Sequence, residues 1–305
     1  MAEKDYSQGA AYVYGKYVSL EGAVIPVWDM GFMHADVCYD VISTWNGNFF
    51  RLKDHLKRFK ETLKGFRMHL DLDDAAMTEI MMECIRLTGL KNTYVYFGAT
   101  RGIPATGTYS RDPRDYIPQF MVFAIEYVYI ISKEIMESRG AHLYISKTTR
   151  RTPPESINPK FKNHAWPDLT NGLIEALEAG ADLGALLDYN GNLTEGAGFN
   201  VFVVKNDKVI TPDNGILEGI TRMSVLELCK ETGIKAEVRP VKGEELYTAD
   251  EMFLASTAGG IMPVSRVDSH IMSGDKPGPV SVKLKDLYWK KREQGWHATP
   301  VVYDR

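Results

Sequence analysis

Residues 185–211, ALLDYNGNLTEGAGFNVFVVKNDKVIT, read as short strands joined by tight turns. Ala185–Asp188, Phe199–Val204 and Val209–Thr211 are mostly apolar, the last two rich in β-branched side chains, and Asn190-Gly191 marks a turn. Strands joined this closely pair antiparallel, because a parallel crossover needs a dozen residues or more. This meander stands in a chain that also carries helical periodicities, and strand and helix runs do not alternate strictly. The fold class is therefore α+β rather than a doubly wound sheet.

Working outward, a helix opens at Pro167 and closes at Gly180, a strand covers Ala141–Lys147, and a further helix runs from near Thr221 to Gly233. On the N-terminal side, Tyr94–Thr100 and Gln119–Ile131 read as strands flanking a polar loop, Gly102–Pro118, of a length usually functional or disordered. Two helices precede them. One covers Asp54–Lys64, with Leu56, Phe59 and Leu63 on one face and Gly65 as its stop; the other runs from Asp73 to Gly89, with Met77, Ile80, Met81 and Cys84 facing a core. The first forty-odd residues read as short strands broken by Gly22, Pro26, Gly31 and Gly47, with Asn46-Gly47 a hairpin signal. We place a small N-terminal α/β domain at 1–125, an interdomain loop at 126–132 and a larger C-terminal domain at 133–305.

The 305 residues suffice for two compact domains, and 44% apolar with 25% charged residues excludes a disordered chain. A net charge of −4 gives no reason to expect nucleic acid or an anionic membrane as partner. Cys38, Cys84 and Cys229 are too few and too scattered for a disulfide framework or a zinc knuckle, so no metal is expected. Free thiols, no signal-peptide pattern in residues 1–15 and no long apolar run predict a cytoplasmic protein.

Four segments could carry chemistry. Lys162, in Pro159-Lys-Phe-Lys162-Asn163, precedes a helix start whose dipole disfavours the ammonium; if desolvated, its amine can form an imine with an aldehyde. Glu195, in Thr194-Glu-Gly-Ala-Gly-Phe-Asn200, is followed by small residues that let a flat ligand approach the backbone, and a buried carboxylate can keep a pyridine nitrogen protonated. Gly215-Ile-Leu-Glu-Gly219-Ile220-Thr221-Arg222 opens a helix and offers N–H groups to a phosphate. Ser256-Thr257-Ala258-Gly259-Gly260 can add donors to the same group. Each alone also suits a plainer role: a solvated loop lysine, an exposed acid in a glycine-rich turn, a satisfied N-cap at Thr221, a tight strand exit.

Taken in order, these segments resemble the class IV, or fold type IV, pyridoxal-phosphate-dependent aminotransferases, most of all the (R)-selective amine transaminases. The likeness runs from Trp28 to Arg305. It includes His34-Ala-Asp-Val-Cys-Tyr39, Trp45-Asn-Gly47, Phe50-Arg-Leu-Lys-Asp-His-Leu-Lys-Arg58, Thr100-Arg-Gly102 and Arg150-Arg-Thr-Pro153, besides the four segments above. The resemblance implies pyridoxal 5'-phosphate held as a Schiff base on Lys162, which then carries the proton. It implies Glu195 at the pyridine nitrogen, with Gly198, Phe199 and Asn200 beside it, and Arg58, Ile220, Thr221, Thr257 and Ala258 at the phosphate. It implies a small N-terminal α/β domain, a larger barrel-like C-terminal α/β domain, the cofactor at their interface, and a homodimer. Helical periodicity alone turns Arg58 away from the Leu56/Phe59/Leu63 stripe, towards solvent; here we follow the resemblance.

Departures from the family's patterns bear on substrate. Branched-chain relatives place a carboxylate-binding arginine where Tyr96 stands, and D-amino-acid relatives have an Arg-x-His trap where this chain has Thr106-Gly107-Thr108. A pocket of His34, Tyr39, Tyr96 and Trp45 suits a primary amine with a bulky apolar group, although core packing is an alternative for these aromatics. The predicted reaction is ping-pong transfer from such an amine to an α-keto acid such as pyruvate, whose carboxylate meets Arg111, or Arg114, on the 102–118 loop. Alternatives are a D-amino-acid or branched-chain amino-acid aminotransferase, an aminodeoxychorismate-lyase-type enzyme, and a cofactor-free binding protein.

Overall fold

A computed structural model describes residues 5–304 and divides into two compact units. One comprises the chain up to Val128 together with Phe161–Ala165 and the stretch from Gly295; the other comprises Tyr129–Lys160 and Trp166–Gln294. The division is thus not linear in sequence, and the short segment carrying Lys162 belongs to the first unit.

The first unit is built on a seven-stranded antiparallel sheet. Its strands are β1 (Ala10–Val13), β2 (Lys16–Ser19), β3 (Val37–Trp45), β4 (Asn48–Phe50), β5 (Thr93–Pro104), β6 (Tyr116–Glu126) and a last strand at Ala298–Pro300. From one edge the order is the last strand, β4, β3, β5, β6, β1, β2. Asn46 and Gly47, both at positive φ, turn β3 into β4. Helices α1 (Met30–His34), α2 (Leu52–Gly65) and α3 (Asp74–Thr88) complete the unit, and α3 is capped by Asp73 at its start and Gly89 at its end. Strand alternation explains the layering. Cys38, Ile42, Val95, Phe97, Ala99, Phe120 and Val122 point to the face covered by α2 and α3, where they pack with Leu56, Phe59, Met77 and Met81. Tyr39, Tyr96, Gly98, Thr100 and Met121 alternate with them and so lie on the opposite face. Gly65 is the last residue of α2, and its missing side chain makes room for the Phe161 ring.

Two sequence expectations differ here. The stretch read as strands throughout contains the short helix α1, which Asp29 caps by accepting from Gly31 N at 2.6 Å. The strand expected to continue to Ile131 ends at Glu126, because its partner β5 begins at Thr93, opposite Glu126.

The second unit contains α4 (Lys133–Ser138), β7 (Ala141–Arg150), α5 (Pro167–Glu178), β8 (Leu183–Leu187), β9 (Leu193–Gly196), β10 (Phe199–Lys205), β11 (Lys208–Thr211), α6 (Ile220–Thr232), β12 (Lys235–Val238), β13 (Glu251–Ser256), β14 (Gly260–Val267), β15 (His270–Ile271) and α7 (Pro279–Glu293). Its sheet runs β12, β11, β10, β13, β14, β7, β8, β9, and β9 also pairs with β10. The strands from β10 through β9 therefore close into a six-stranded barrel, which confirms the mixed α+β class with a barrel-like second part. Leu143, Ile145, Val201, Val203, Leu254, Met262 and Val264 form its core. Helix α7 has no clear sequence signature: its buried stripe is Ser281, Leu284, Tyr288 and Arg292, and two of these four are polar.

Candidate active site

In the second unit the barrel's closing seam gathers three of the four segments. Glu195 lies opposite Asn200 where β9 pairs with β10. The Glu195 carboxylate is buried, and its Oε1 accepts from Arg151 Nε at 3.3 Å and Nη2 at 3.1 Å. Its Oε2 accepts from Leu217 N at 2.8 Å, which ties the seam to the loop before α6. Arg151 is itself held by Asp168 through Nη1 at 2.6 Å. Burial alone would lower the Arg151 pKa, but the Glu195 and Asp168 charges outweigh it and raise it.

Asn200 reaches the same loop: its Nδ2 donates to Leu217 O at 2.9 Å, and a Cβ on Gly219 would fall 2.1 Å from its Oδ1. Gly219 is the N-cap of α6 and supplies no side-chain acceptor, so the amides of the first turn lack a side-chain cap. Thr221 lies inside the helix rather than at the cap, and the alternative of Thr221 as a self-satisfied N-cap falls away. Ser256 closes the group by donating from Oγ to Gly198 O at 2.8 Å and accepting from Ala258 N at 3.2 Å. Gly198 has φ +88°, which a side chain would strain, and Phe199 beside it is buried.

In the first unit, Phe161–Ala165 runs beside the start of β3. Tyr39 N donates to Lys162 O at 3.0 Å, Lys162 N donates to Thr62 Oγ1 at 3.2 Å, and Asn163 bridges to Cys38. The Lys162 Nζ stands 4.4 Å from the centroid of the Tyr39 ring. That ring stacks on Tyr96 at 5.2 Å, and both tyrosines are buried. His164 sits edge-on to Tyr39 at 4.7 Å, with Nε2 3.0 Å from the Tyr96 hydroxyl. The tyrosines cover the inner edge of an imidazole that is otherwise open to solvent, and the Lys162 charge is close. His164 therefore titrates below the usual histidine range.

Arg58 is buried, contrary to the helical periodicity. Its Nε and Nη2 donate to the two oxygens of Asp40, each at 2.8 Å, and His55 Nδ1 lies 2.8 Å from Asp40 Oδ1. An anion on β3, rather than an apolar surface, draws this polar position of α2 inward, and a stripe of apolar residues does not register such a partner. Burial would raise the Asp40 pKa, but Arg58 and His55 hold it well below the carboxylate range.

The remaining expected residues stand apart. His34 is exposed at the end of α1, with Nδ1 3.2 Å from Met30 Sδ. Trp45 meets Tyr127 edge-on at 5.5 Å. Arg111 and Arg114 are exposed, and Arg114 is bound to Asp112. Sequence reasoning missed Asp40, His164 and Asp168, and it quoted Arg151 without a role. His164 carried a signal in its place two residues after Lys162; Asp168 carried none.

The sequence profile described as Amino-transferase class IV matches residues 37–267. The chain belongs to this family. This class IV aminotransferase is 32% identical over 280 residues to a Methanocaldococcus jannaschii protein assigned as a branched-chain-amino-acid aminotransferase, covering 91% of this chain and 94% of that one. It is 29% identical to a Bacillus licheniformis D-alanine aminotransferase, covering 89% and 93%. Among solved structures it is similar to the Thermobaculum terrenum branched-chain amino acid aminotransferase in its PLP-form, with TM-score 0.85, 26% identity, and 98% and 100% of the two chains covered. The class IV aminotransferase is a pyridoxal-phosphate-dependent enzyme of fold type IV. Its second unit fits that cofactor. The buried Glu195 carboxylate suits a pyridinium nitrogen, and the helix start without a side-chain cap, narrowed by Gly219 and Asn200, suits a phosphate ester. Among the described residues no cluster suits a metal ion, and no helix is long and apolar enough to cross a membrane.

Proposed function

We propose that this enzyme moves the amino group of an (R)-configured primary amine to an α-keto acid such as pyruvate, in a ping-pong cycle. The observation that carries this reading is the buried Tyr39–Tyr96 stack beside Lys162. It stands where a branched-chain enzyme would be expected to present an arginine, and it suits an apolar group better than a carboxylate. Thr106-Gly107-Thr108, on an exposed loop, offers no cationic trap in its place.

In this reading Lys162 anchors the cofactor, and its freed Nζ takes the α-proton of the amine and returns a proton in the second half-reaction. Bound, the cofactor supplies an aldehyde carbon and a ring that accepts electrons. Glu195, its charge kept by Arg151, holds a proton on the ring nitrogen. Arg58, Ile220, Thr221, Thr257 and Ala258 bind the phosphate, while Gly198, Phe199 and Asn200 leave room for the ring. Arg111 binds the keto-acid carboxylate from its loop. We further infer a cytoplasmic homodimer; the buried free thiols Cys38, Cys84 and Cys229 suit a reducing compartment.

A second reading, transfer from a branched-chain or D-amino acid, is favoured by the names of the relatives. A panel of paired (R)- and (S)-amines and D- and L-amino acids, with pyruvate as acceptor, separates the two. (R)-amines are expected to turn over fastest. An amino acid reacting at least about tenfold faster than every carboxylate-free amine would replace the first reading with the second.

A further inference from the structure

Gly98 leaves a gap on the sheet face that carries Tyr39 and Tyr96. A Cβ there would lie 2.7 Å from Cys38 O, 2.8 Å from Tyr96 Oη and 3.0 Å from Tyr39 Cβ. The Tyr96 hydroxyl therefore lies across the bare backbone of its own strand, and through that gap it meets His164 Nε2. The Tyr96 ring is clamped between Tyr39, tilted by 18°, and Phe123, at 4.9 Å and 3°. Burial pushes the Tyr96 phenol well above its ordinary range, so the hydroxyl stays neutral and its 3.0 Å hydrogen bond with Nε2 holds the imidazole in place. His164 is fixed from the backbone side as well. Asn163, bridged to Cys38, donates from Nδ2 to Phe161 O at 2.7 Å and accepts from Ala165 N at 2.8 Å, so the turn on both sides of residue 164 is set.

His164 also lines a mostly apolar pocket of about 300 Å³ that is open to solvent on the side of the exposed Phe32, with Ile25, Val37 and Met121 among its other walls. That size lies at the lower end of small-molecule sites. Neither Tyr39 nor Tyr96 lines it. The imidazole touches both tyrosines on one side and the cavity on the other, so it stands as a partition between them.

We propose that His164, pinned by Tyr96 across Gly98, is the specificity-determining residue that bars the substrate's apolar substituent from this cavity and so caps its size. The proposal rests on the reading of Lys162 as the cofactor-bearing lysine with the Tyr39–Tyr96 stack as substrate wall. A substituent laid along that wall from Lys162 runs into the imidazole. Removing the imidazole joins the wall to the cavity.

The test uses holoenzyme and a homologous series of methyl n-alkyl ketones, which bind the aldehyde form of the enzyme without accepting an amino group. Dissociation constants are measured by calorimetry, and the acceptance of the corresponding amines is measured alongside. In the native enzyme, affinity is expected to stop rising at a defined chain length. In His164→Ala it is expected to go on rising for at least two further methylenes, by about fourfold for each one buried. His164→Gln keeps an amide at this position and is expected to retain the native limit. Met121→Trp added to His164→Ala refills the cavity and is expected to restore that limit. An unchanged limit in His164→Ala, or a gain that Met121→Trp does not reverse, overturns the proposal. Borohydride reduction and peptide mapping test the premise separately: label on a lysine other than Lys162 removes the reading beneath the proposal, whatever the ketones do.

Discussion

Arg151 donates twice to one oxygen of Glu195 and leaves the other oxygen to the Leu217 amide. The two oxygens of this buried carboxylate are thereby held in one orientation. Glu195→Gln is expected to keep the cofactor bound while slowing turnover by about a hundredfold or more, since proton transfer and charge uptake at the ring both depend on the carboxylate's charge. Spectrophotometric cofactor content with single-turnover rates checks this. Arg151→Met is expected to act on stability as well, lowering it by about 2 kcal/mol or more in urea denaturation, because it leaves the buried Glu195 and the half-buried Asp168 without their common partner.

Lys162→Ala removes the proposed anchor and the proposed base together. Expected are loss of the visible absorbance of the covalently held cofactor and a fall in turnover of about a thousandfold or more. Colour retained, with a reducible link to a different lysine, would disprove the assignment.

Arg111 and Arg114 share one exposed loop but differ in their engagement. Arg114 donates to Asp112 from Nε at 2.9 Å and from Nη2 at 2.5 Å, whereas Arg111 has no ion pair among the described residues. A mobile guanidinium can meet a keto acid and swing away when an apolar amine arrives, which avoids leaving a charge buried and unpaired. Arg111→Ala is expected to raise KM for pyruvate about tenfold, equivalent to about 1.4 kcal/mol, with KM for a carboxylate-free amine nearly unmoved. Equal changes in both, or in neither, would remove Arg111 from the site.

His55 is fully buried, and that burial pulls its pKa below 6.5 despite the Asp40 carboxylate, whose charge Arg58 already balances. The neutral ring donates from Nδ1. Below pH about 6.5 the unfolded chain takes up a proton that the folded chain refuses, so stability declines as the medium becomes more acidic. Asp40 adds to the decline lower down: its depressed pKa contributes stability that is present above the ordinary carboxylate range and lost as pH falls towards the folded value. His55→Gln is expected to flatten the dependence of the urea midpoint between pH about 6.5 and 4.5, leaving the steeper loss below pH about 4. An unchanged slope across that same interval would show that His55 is charged in the folded protein.

Much of this architecture was legible because it is written in periodicities and breakers. Asp73 and Gly89 bracket α3, Asn46-Gly47 makes a turn, and Phe199–Lys205 pairs antiparallel with Lys208–Thr211; the strand Leu193–Gly196, which carries Glu195 and stands between β8 and β10, reads in the sequence only as a glycine-rich turn. The convergence of Glu195, Asn200, Leu217 and Ser256 was less visible, since it arises only when β9 meets β10 and the loop before α6 folds back on them. Arg58 shows the limit from the other side. Its burial depends on Asp40, a single anion eighteen residues earlier, and no local pattern records that partnership. His164 reads locally as one more polar loop residue until Gly98, on a distant strand, clears the way for Tyr96.

The two-residue connection between β9 and β10, Ala197-Gly198, also completes the circumference of the barrel. Strand number, tilt and stagger are linked in a closed sheet, so an added or deleted residue here would disturb the β9–β10 pairing that closes it. The Glu195–Asn200 hairpin consequently cannot drift in length as a surface loop does. Diversification of substrate range among descendants of this sequence has to proceed through side-chain replacement at the seam, while insertions are left to the open 105–115 stretch.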